Sequence, residues 1–196
     1  YAGGDDVLAF VPVHTCLKCA RTLRDRFRQE TEMTLSVGVA IGHFMENLED
    51  LRDYGRKAEQ AAKAMPGKDA LAIHLHKRGG SPVEFRGKWD DNPVQRICHF
   101  ADLINDKIIP GKLPYELRAM TKLYEPWPRD HQTEAAISMD LIRLVAKKQS
   151  QGVETVKAKL SPYLSGMTAA KLLDFADELL VARHIADALR QAEVAS

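Results

Sequence analysis

The chain has 196 residues, of which 45% are hydrophobic and 28% charged, as in ordinary globular domains. Its 28 basic and 27 acidic residues give no net charge that would by itself indicate nucleic-acid binding. No apolar run reaches the ~18 residues of a transmembrane helix, and three cysteines fit a reducing cytoplasm better than a disulfide framework. We therefore predict a cytoplasmic protein with no membrane partner.

The first part of the chain alternates between strand-like and helix-like patterns. Strands are predicted at residues 7–11, 34–41, 70–75 and 83–85, where apolar and β-branched residues are concentrated. Apolar residues at helical spacing predict helices from Cys16 to Phe27 and from Leu48 to Met65. This order is an α+β pattern that lacks one strand–helix–strand unit of a ferredoxin-like sheet. The run at 7–11 is predicted to be a buried strand.

From Asn92 onward the strand pattern disappears and helical stripes follow one another through short loops. Helices are predicted at about 93–108, 114–124, 137–148, 153–164 and 168–189, with Pro162 a candidate kink and Thr168 a candidate N-cap. We therefore predict two domains. Residues 1–89 form the incomplete ferredoxin-like domain, and residues 90–196 form an all-α helical bundle.

The N-terminal segment carries the strongest chemical signal. Gly3, Gly4, Asp5 and Asp6 run straight into an apolar segment, which predicts a tight hairpin turn with acids at its tip. Glycine permits positive φ and lets the backbone approach a phosphate closely. Adjacent carboxylates can hold hard divalent cations such as Mg²⁺, which prefer oxygen ligands. The tetrapeptide alone leaves a plain glycine turn with solvated acids as an equal alternative.

Three segments in the same order resemble a known family, the large subunit of Cmr-type (type III-B) CRISPR effector complexes. The Gly-Gly-Asp-Asp segment resembles that family's palm, which is related to the GGDEF-like palm of diguanylate cyclases. Residues 36–40 resemble the small-residue strand of these palms. Residues 58–63, ending in Ala-Lys, and the Gly-Lys-Asp at 67–69 resemble the family's next motif. The resemblance covers about residues 1–78, and the helical region that follows fits the family's C-terminal domain.

The resemblance implies a role for each motif residue. The catalytic and metal-binding acids would be Asp5 and Asp6, which would hold two Mg²⁺ or Mn²⁺ ions. The residues implied to bind ATP are Gly3, Gly4, Lys63 and Lys68. For the two lysines, which would contact phosphate oxygens, a solvated helix end is the alternative. The chain departs from diguanylate cyclases at Asp6-Val7, where that group has Glu-Phe, and this departure favours the CRISPR subunit.

The resemblance also implies an activity and partners. The family is a nucleotidyltransferase of antiviral defence, which joins ATP into cyclic oligoadenylate when target RNA is bound. The implied partners are the other subunits of the complex, the guide RNA and the target RNA. Because a further metal-binding acid would lie before Tyr1, we expect this fragment alone to be inactive or nearly so. A diguanylate-cyclase-like or polymerase palm, and a non-catalytic scaffold that binds the small subunit and guide–target RNA, remain alternatives.

Two pairs of residues, one of cysteines and one of histidines, are weaker indications of a metal site. Cys16 and Cys19 lie on the apolar stripe of a predicted helix, so core packing is favoured over a metal site. His74 and His76 alternate on a predicted strand and would face the same side. A metal pair is one interpretation of these histidines, and a half-exposed strand face is the favoured one.

Two further features offer interaction surfaces. Arg21, Arg24 and Arg28 form a row on the first predicted helix that could contact RNA, although a solvated helix face is the default interpretation. Trp127 lies between two prolines. We predict that Trp127 caps the helical bundle from a loop, with an exposed interaction residue as the alternative.

Overall fold

A computed structural model describes the chain at residues 2–3, 6–77, 79, 81–149 and 153–195. Across these ranges none of the helices combines the length and the apolar character needed to cross a membrane. The fold is α+β, as predicted, with a small three-stranded sheet and many helices. Its ferredoxin-like character stays a prediction.

From residue 13 onward the elements follow the order expected from the sequence. The strands are β1 Ala2–Gly3, β2 Asp6–Val7, β3 Val37–Ile41, β4 Ala70–Leu75 and β5 Val83–Lys88. The helices are α1 Val13–Thr31, α2 Leu48–Lys63, α3 Pro93–Asn105, α4 Leu113–Tyr124, α5 His131–Gln149, α6 Val153–Leu160 and α7 Ala169–Ala195. Short 3-10 turns follow β5 at Trp89–Asp91 and α6 at Ser161–Tyr163.

The chain packs as two compact units. The first unit comprises residues 1–94 together with 187–196, and the second comprises residues 95–186. These units describe packing within the chain. The functional boundary between residues 89 and 90 stays a prediction.

The larger sheet has the order β3-β4-β5. β3 and β4 are parallel with Val37 opposite Leu71, and β4 and β5 are antiparallel with Ala70 opposite Lys88. All six residues of the central strand β4 are buried, as its continuous apolar sequence predicts. The sheet therefore holds the turn before β4 and the end of β5 side by side.

Small residues let α2 lie close to this sheet. Ala62 of α2 is fully buried against Ala70 and Ala72 of β4. A methyl group built on Gly38 of β3 would lie 2.7 Å from the carbonyl carbon of Ala58 in α2. The absence of a side chain at Gly38 is therefore required by the approach of the α2 backbone.

The predicted buried strand at residues 7–11 is wrong. Only Asp6–Val7 is a strand, and it pairs with Ala2–Gly3 in a separate two-stranded sheet. The large apolar side chains of this run, Val7, Leu8, Phe10 and Val11, are all exposed. A continuous apolar run indicates a preference for burial, but a strand also needs regular backbone pairing, and residues 8–12 are not assigned to a strand.

The second unit is helical, as predicted. Phe100 of α3 lies at its centre, with its ring centroid 4.8 Å from that of Tyr163 and 5.4 Å from that of Phe175. α6 ends at Leu160 and a 3-10 turn containing Pro162 follows, so the predicted kink is observed as a helix end. Thr168 caps α7, since its Oγ1 accepts the Lys171 backbone N–H at 3.3 Å.

Candidate functional site

The Gly-Gly-Asp-Asp segment spans the β1–β2 hairpin. The strands are antiparallel, with Ala2 opposite Val7 and Gly3 opposite Asp6. Gly4, which is predicted to bind ATP, and the predicted catalytic residue Asp5 lie outside the described part of the chain, as does the side chain of the catalytic Asp6. Their metal-binding and nucleotide-binding roles, and that of Gly3, therefore stay predictions. Two adjacent carboxylates are nevertheless a donor set that suits Mg²⁺ or Mn²⁺.

The two predicted phosphate-binding lysines lie at the end of α2 and in the turn that follows it. Lys63 is the last residue of α2, and its Nζ lies 2.5 Å from Glu59 Oε1. Both side chains are substantially exposed, so this i,i+4 ion pair contributes little to stability and can exchange for another anion. Lys68 is exposed and lies one residue before the buried Asp69. The structure thus brings the two lysines to one end of α2.

The turn that carries Lys68 has an unusual backbone. Gly67, Lys68 and Asp69 have φ values of 70°, 52° and 47°, so three consecutive residues are in the left-handed region. For a residue other than glycine this conformation costs about 1–2 kcal/mol. Since two of the three are not glycine, the turn must be held by its surroundings.

Hydrogen bonds from the end of β5 hold this turn. The Lys88 ammonium donates to the backbone oxygen of Pro66 at 3.1 Å and also to that of Lys68. The backbone N–H of Trp89 donates to the carbonyl of Asp69 at 3.2 Å. The antiparallel register, with Ala70 opposite Lys88, places these donors beside the turn.

A charged pair anchors the turn to α1. Arg24 Nη2 lies 3.4 Å from Asp69 Oδ2, and the two side chains are only 14% and 12% exposed. Burial alone would lower the pKa of Arg24, but hydrogen bonds to Asp25 and Asp69 and their charges raise it overall. The guanidinium also lies 5.7 Å from the Trp89 ring centroid. The predicted solvated face is therefore wrong for Arg24, since the turn buries it.

The residues that hold the turn were not identified from the sequence. Asp69 belongs to the Gly-Lys-Asp motif, but Lys88 and Trp89 have no distinctive spacing from it. Their proximity becomes predictable only from the β4–β5 register. Arg24 belongs to the row of arginines on the first predicted helix, and the sequence does not distinguish it from the exposed Arg21 and Arg28.

The cysteine prediction is confirmed for Cys16, which is buried in α1, and Cys19 is partly buried. Within the described ranges there is no group of three or more His, Cys, Asp or Glu residues that could hold a metal ion.

The histidine pair differs from its favoured interpretation. His74 is only 6% exposed, so the predicted half-exposed face is wrong for this residue, which lies on the strand face that α2 covers. His76 stacks on Tyr54 of α2 with ring centroids 3.5 Å apart. Burial lowers the pKa of both imidazoles below its ordinary value, which favours their neutral forms.

A groove of about 1070 Å³ lies in the second unit. Large apolar residues of its lining are Tyr115, Leu123, Trp127 and Leu173. The Trp127 ring lies 5.2 Å from that of Tyr124 and is 53% exposed, so this residue is half-covered. The groove contains none of the motif residues, which belong to the first unit.

The first part of the chain is similar to known proteins. Residues 1–72 match the family model described as Cas10/Cmr2, second palm domain. The chain is also 43% identical over 89 residues to the CRISPR system Cmr subunit Cmr2 of Pyrococcus furiosus. That alignment covers 41% of this chain and 10% of the relative, so the chain spans about a tenth of the relative's length.

Proposed function

From the match of residues 1–72 to the second palm domain of the Cas10/Cmr2 family, we propose that the chain contributes a nucleotidyltransferase palm to a CRISPR effector subunit. In the intact complex this palm acts on ATP and produces cyclic oligoadenylate. Each step forms a bond between a 3′-oxygen and an α-phosphorus, and the bond to pyrophosphate breaks. Such chemistry depends mainly on positioning and charge stabilisation.

The observation that carries the proposal is the match of the family palm to residues 1–72, which include the β1–β2 hairpin. Gly3 and Asp6 face each other across that hairpin. The Lys63–Lys68 region lies within the same match. The proposal thus rests on motif, hairpin register and lysine placement together.

Asp5 and Asp6 would hold the divalent cations. When bound, Mg²⁺ or Mn²⁺ would neutralise charge on the phosphates and orient them. Gly3 and Gly4 would let the backbone approach the triphosphate, because they have no side chain to obstruct it. Lys63 and Lys68 would contact phosphate oxygens as mobile point charges, which the exposure of both side chains favours.

The proposed partners are the other subunits of the complex, the guide RNA and the target RNA. The matched relative is by name a subunit of a Cmr system, which supports a subunit role. With a net charge of only +1, this chain would depend on the assembled complex for most of its RNA affinity. The proposed location is the cytoplasm.

The test uses the full-length subunit assembled with its partner subunits, guide RNA and target RNA. Labelled ATP is supplied with Mg²⁺ or Mn²⁺, and pyrophosphate and oligoadenylate are measured. We expect product from the wild type and a loss of about 100-fold or more in Asp5→Ala/Asp6→Ala. Asp53→Ala is the matched control, because Asp53 is an exposed carboxylate on α2 that pairs only locally with Arg52.

Each other outcome selects a different function. Preference for GTP, or formation of a templated product, would favour a diguanylate-cyclase-like or polymerase palm. An intact RNA-bound complex that forms no nucleotide product would favour the non-catalytic scaffold. Product that persists in the double aspartate variant would contradict the proposed role of the hairpin acids.

A further inference from the structure

The left-handed turn at residues 67–69 is maintained at an energetic cost. Lys68 and Asp69 are not glycine, and each costs about 1–2 kcal/mol in this conformation. Consecutive residues of this kind persist only where the surrounding structure fixes them, and such strain is concentrated at functional sites. The position therefore calls for an explanation beyond connecting α2 to β4.

The hydrogen bonds of Lys68 involve its backbone, whereas its side chain is exposed. Its N–H donates to the Met65 carbonyl at 2.8 Å, and its own carbonyl accepts from the Lys88 ammonium. The backbone of Lys68 is thus fixed on both sides, while its side chain is exposed. This arrangement presents a cationic group from a rigid base.

The residues that fix the turn come from several elements of the first unit. Arg24 belongs to α1, the helix that follows the Gly-Gly-Asp-Asp hairpin in the sequence. Lys88 ends β5, and Trp89 follows it. The indole N–H of Trp89 donates to the Leu35 carbonyl at 2.9 Å, just before β3. One contact network therefore joins α1, the start of β3 and the end of β5 to the turn.

We propose that Arg24, Lys88 and Trp89 are positioning residues that hold Lys68 in place for the triphosphate of a nucleotide, an inference that rests on the proposed function. The Lys88 ammonium donates hydrogen bonds to two carbonyls of the turn, and the Arg24 guanidinium forms an ion pair with Asp69. These residues act on the nucleotide through Lys68. Their loss should weaken ATP binding without removing the reaction.

The experiment compares four variants of the full-length subunit in the RNA-bound complex: Lys68→Met, Lys88→Met, the double variant and Lys88→Arg. We expect each single Met variant to raise KM for ATP by about 10-fold, as for loss of one charged hydrogen bond. The double variant should have a KM for ATP no higher than that of Lys68→Met, because both substitutions remove the same contact between Lys68 and the nucleotide. Lys88→Arg, which keeps a donor, should restore most of the affinity.

The control is Lys18→Met, which removes the charge of an exposed lysine on α1 and should leave KM unchanged. Thermal melting and RNA binding are measured alongside, because a merely structural loss would lower stability without a selective rise in KM. If Lys88→Met fails to fold, Arg24→Met gives the same test from the other side of the turn. Unchanged KM in the positioning variants, or single effects that multiply in the double variant, would overturn the inference.

ATP affinity is also measured directly by titration. If the wild-type complex binds ATP but forms no product, the proposed function fails, while the affinities of the same variants still decide whether Lys88 acts through Lys68. If the wild type does not bind ATP, both proposals are wrong. If product forms and every positioning variant binds ATP with the wild-type affinity, only this inference is wrong.

Discussion

Each compact unit contains an arginine that pairs with a buried carboxylate, and the two pairs have different consequences. In the first unit Arg24 and Asp69 lie 3.4 Å apart, and both side chains are mostly buried. In the second unit Arg96 Nη2 lies 2.5 Å from Glu178 Oε2. The side chain of Glu178 is only 2% exposed, whereas that of Arg96 is 40% exposed. The first pair fixes a turn, whereas the second joins α3 to α7.

The difference shows that the same type of ion pair can fix the backbone of a turn in one place and stabilise helix packing in another. Burial raises the pKa of Glu178, and the charge and hydrogen bond of Arg96 only partly offset this. Asp69 lies in a left-handed turn beside an exposed lysine, where its pairing sets the direction of the backbone. The pair in the helical unit therefore mainly protects against an unpaired buried charge.

The largest expected effect is that of breaking the Arg96 pair. Arg96→Met leaves Glu178 buried without its partner, and we expect a loss of about 3–5 kcal/mol in the free energy of unfolding. Arg24→Met should cost less, about 1–3 kcal/mol, because Asp69 is closer to solvent. Urea denaturation gives the two values, and hydrogen exchange assigns each loss to its unit.

The pH dependence provides the control for this comparison. Burial raises the folded-state pKa of Glu178 above the pKa of this residue in the unfolded chain. The contribution of Glu178 to stability is therefore most favourable at low pH and is lost as pH rises through the folded-state pKa. Removing Arg96 raises that pKa further, so Arg96→Met should be less destabilising at pH 5 than at pH 8. Arg96→Met/Glu178→Leu should recover most of the stability, and equal losses at both pH values would contradict this account.

An intermediate effect is expected where the first unit depends on close backbone packing. Gly38→Ala would place a methyl group within 2.7 Å of the α2 backbone, so we expect a loss of about 1–3 kcal/mol. Gly55→Ala is the matched control, because a methyl group there meets no atom within 4 Å. It should stabilise α2 by about 0.5–1 kcal/mol. Thermal unfolding of both variants gives the signs, and a neutral Gly38→Ala would show that α2 can move away.

The smallest effect concerns His74, a buried ionisable residue whose Nε2 has no hydrogen-bond partner within the described residues. Its folded-state pKa is lowered by burial, so as pH falls below about 6.5 the unfolded chain takes up protons first and stability decreases. In His74→Leu this decrease should be smaller by at most about 1.4 kcal/mol per pH unit. Unfolding curves between pH 7.5 and 5.5 measure the slope, and an unchanged slope would assign the dependence to other groups.

Local sequence patterns predicted most elements correctly. β4 was predicted at its observed bounds because its continuous apolar run occupies the centre of a sheet. Pro93 begins α3 and Thr168 caps α7, since each residue has a backbone or side-chain preference that acts locally. These predictions required no knowledge of distant contacts.

The failures all involve partners that are distant in the sequence. The run at 7–11 has the composition of a buried strand, but the strand assigned there ends at Val7. His74 alternates like a residue on a half-exposed face but is covered by α2. The sequence motif included Lys68 and Asp69, but the left-handed turn and its contacts with Arg24 and Lys88 depend on the strand register.

The arrangement of β3 at one side of its sheet affects the behaviour of the protein in solution. Among the described residues β3 pairs with β4 alone, and its five residues include no charge and no proline to discourage a further strand. The backbone groups on the outer side of β3 pair with no other strand in the described ranges and would be a template for pairing between molecules. Protein concentration therefore becomes a variable in any measurement on this chain, and dilution is the simplest protection against association through that strand.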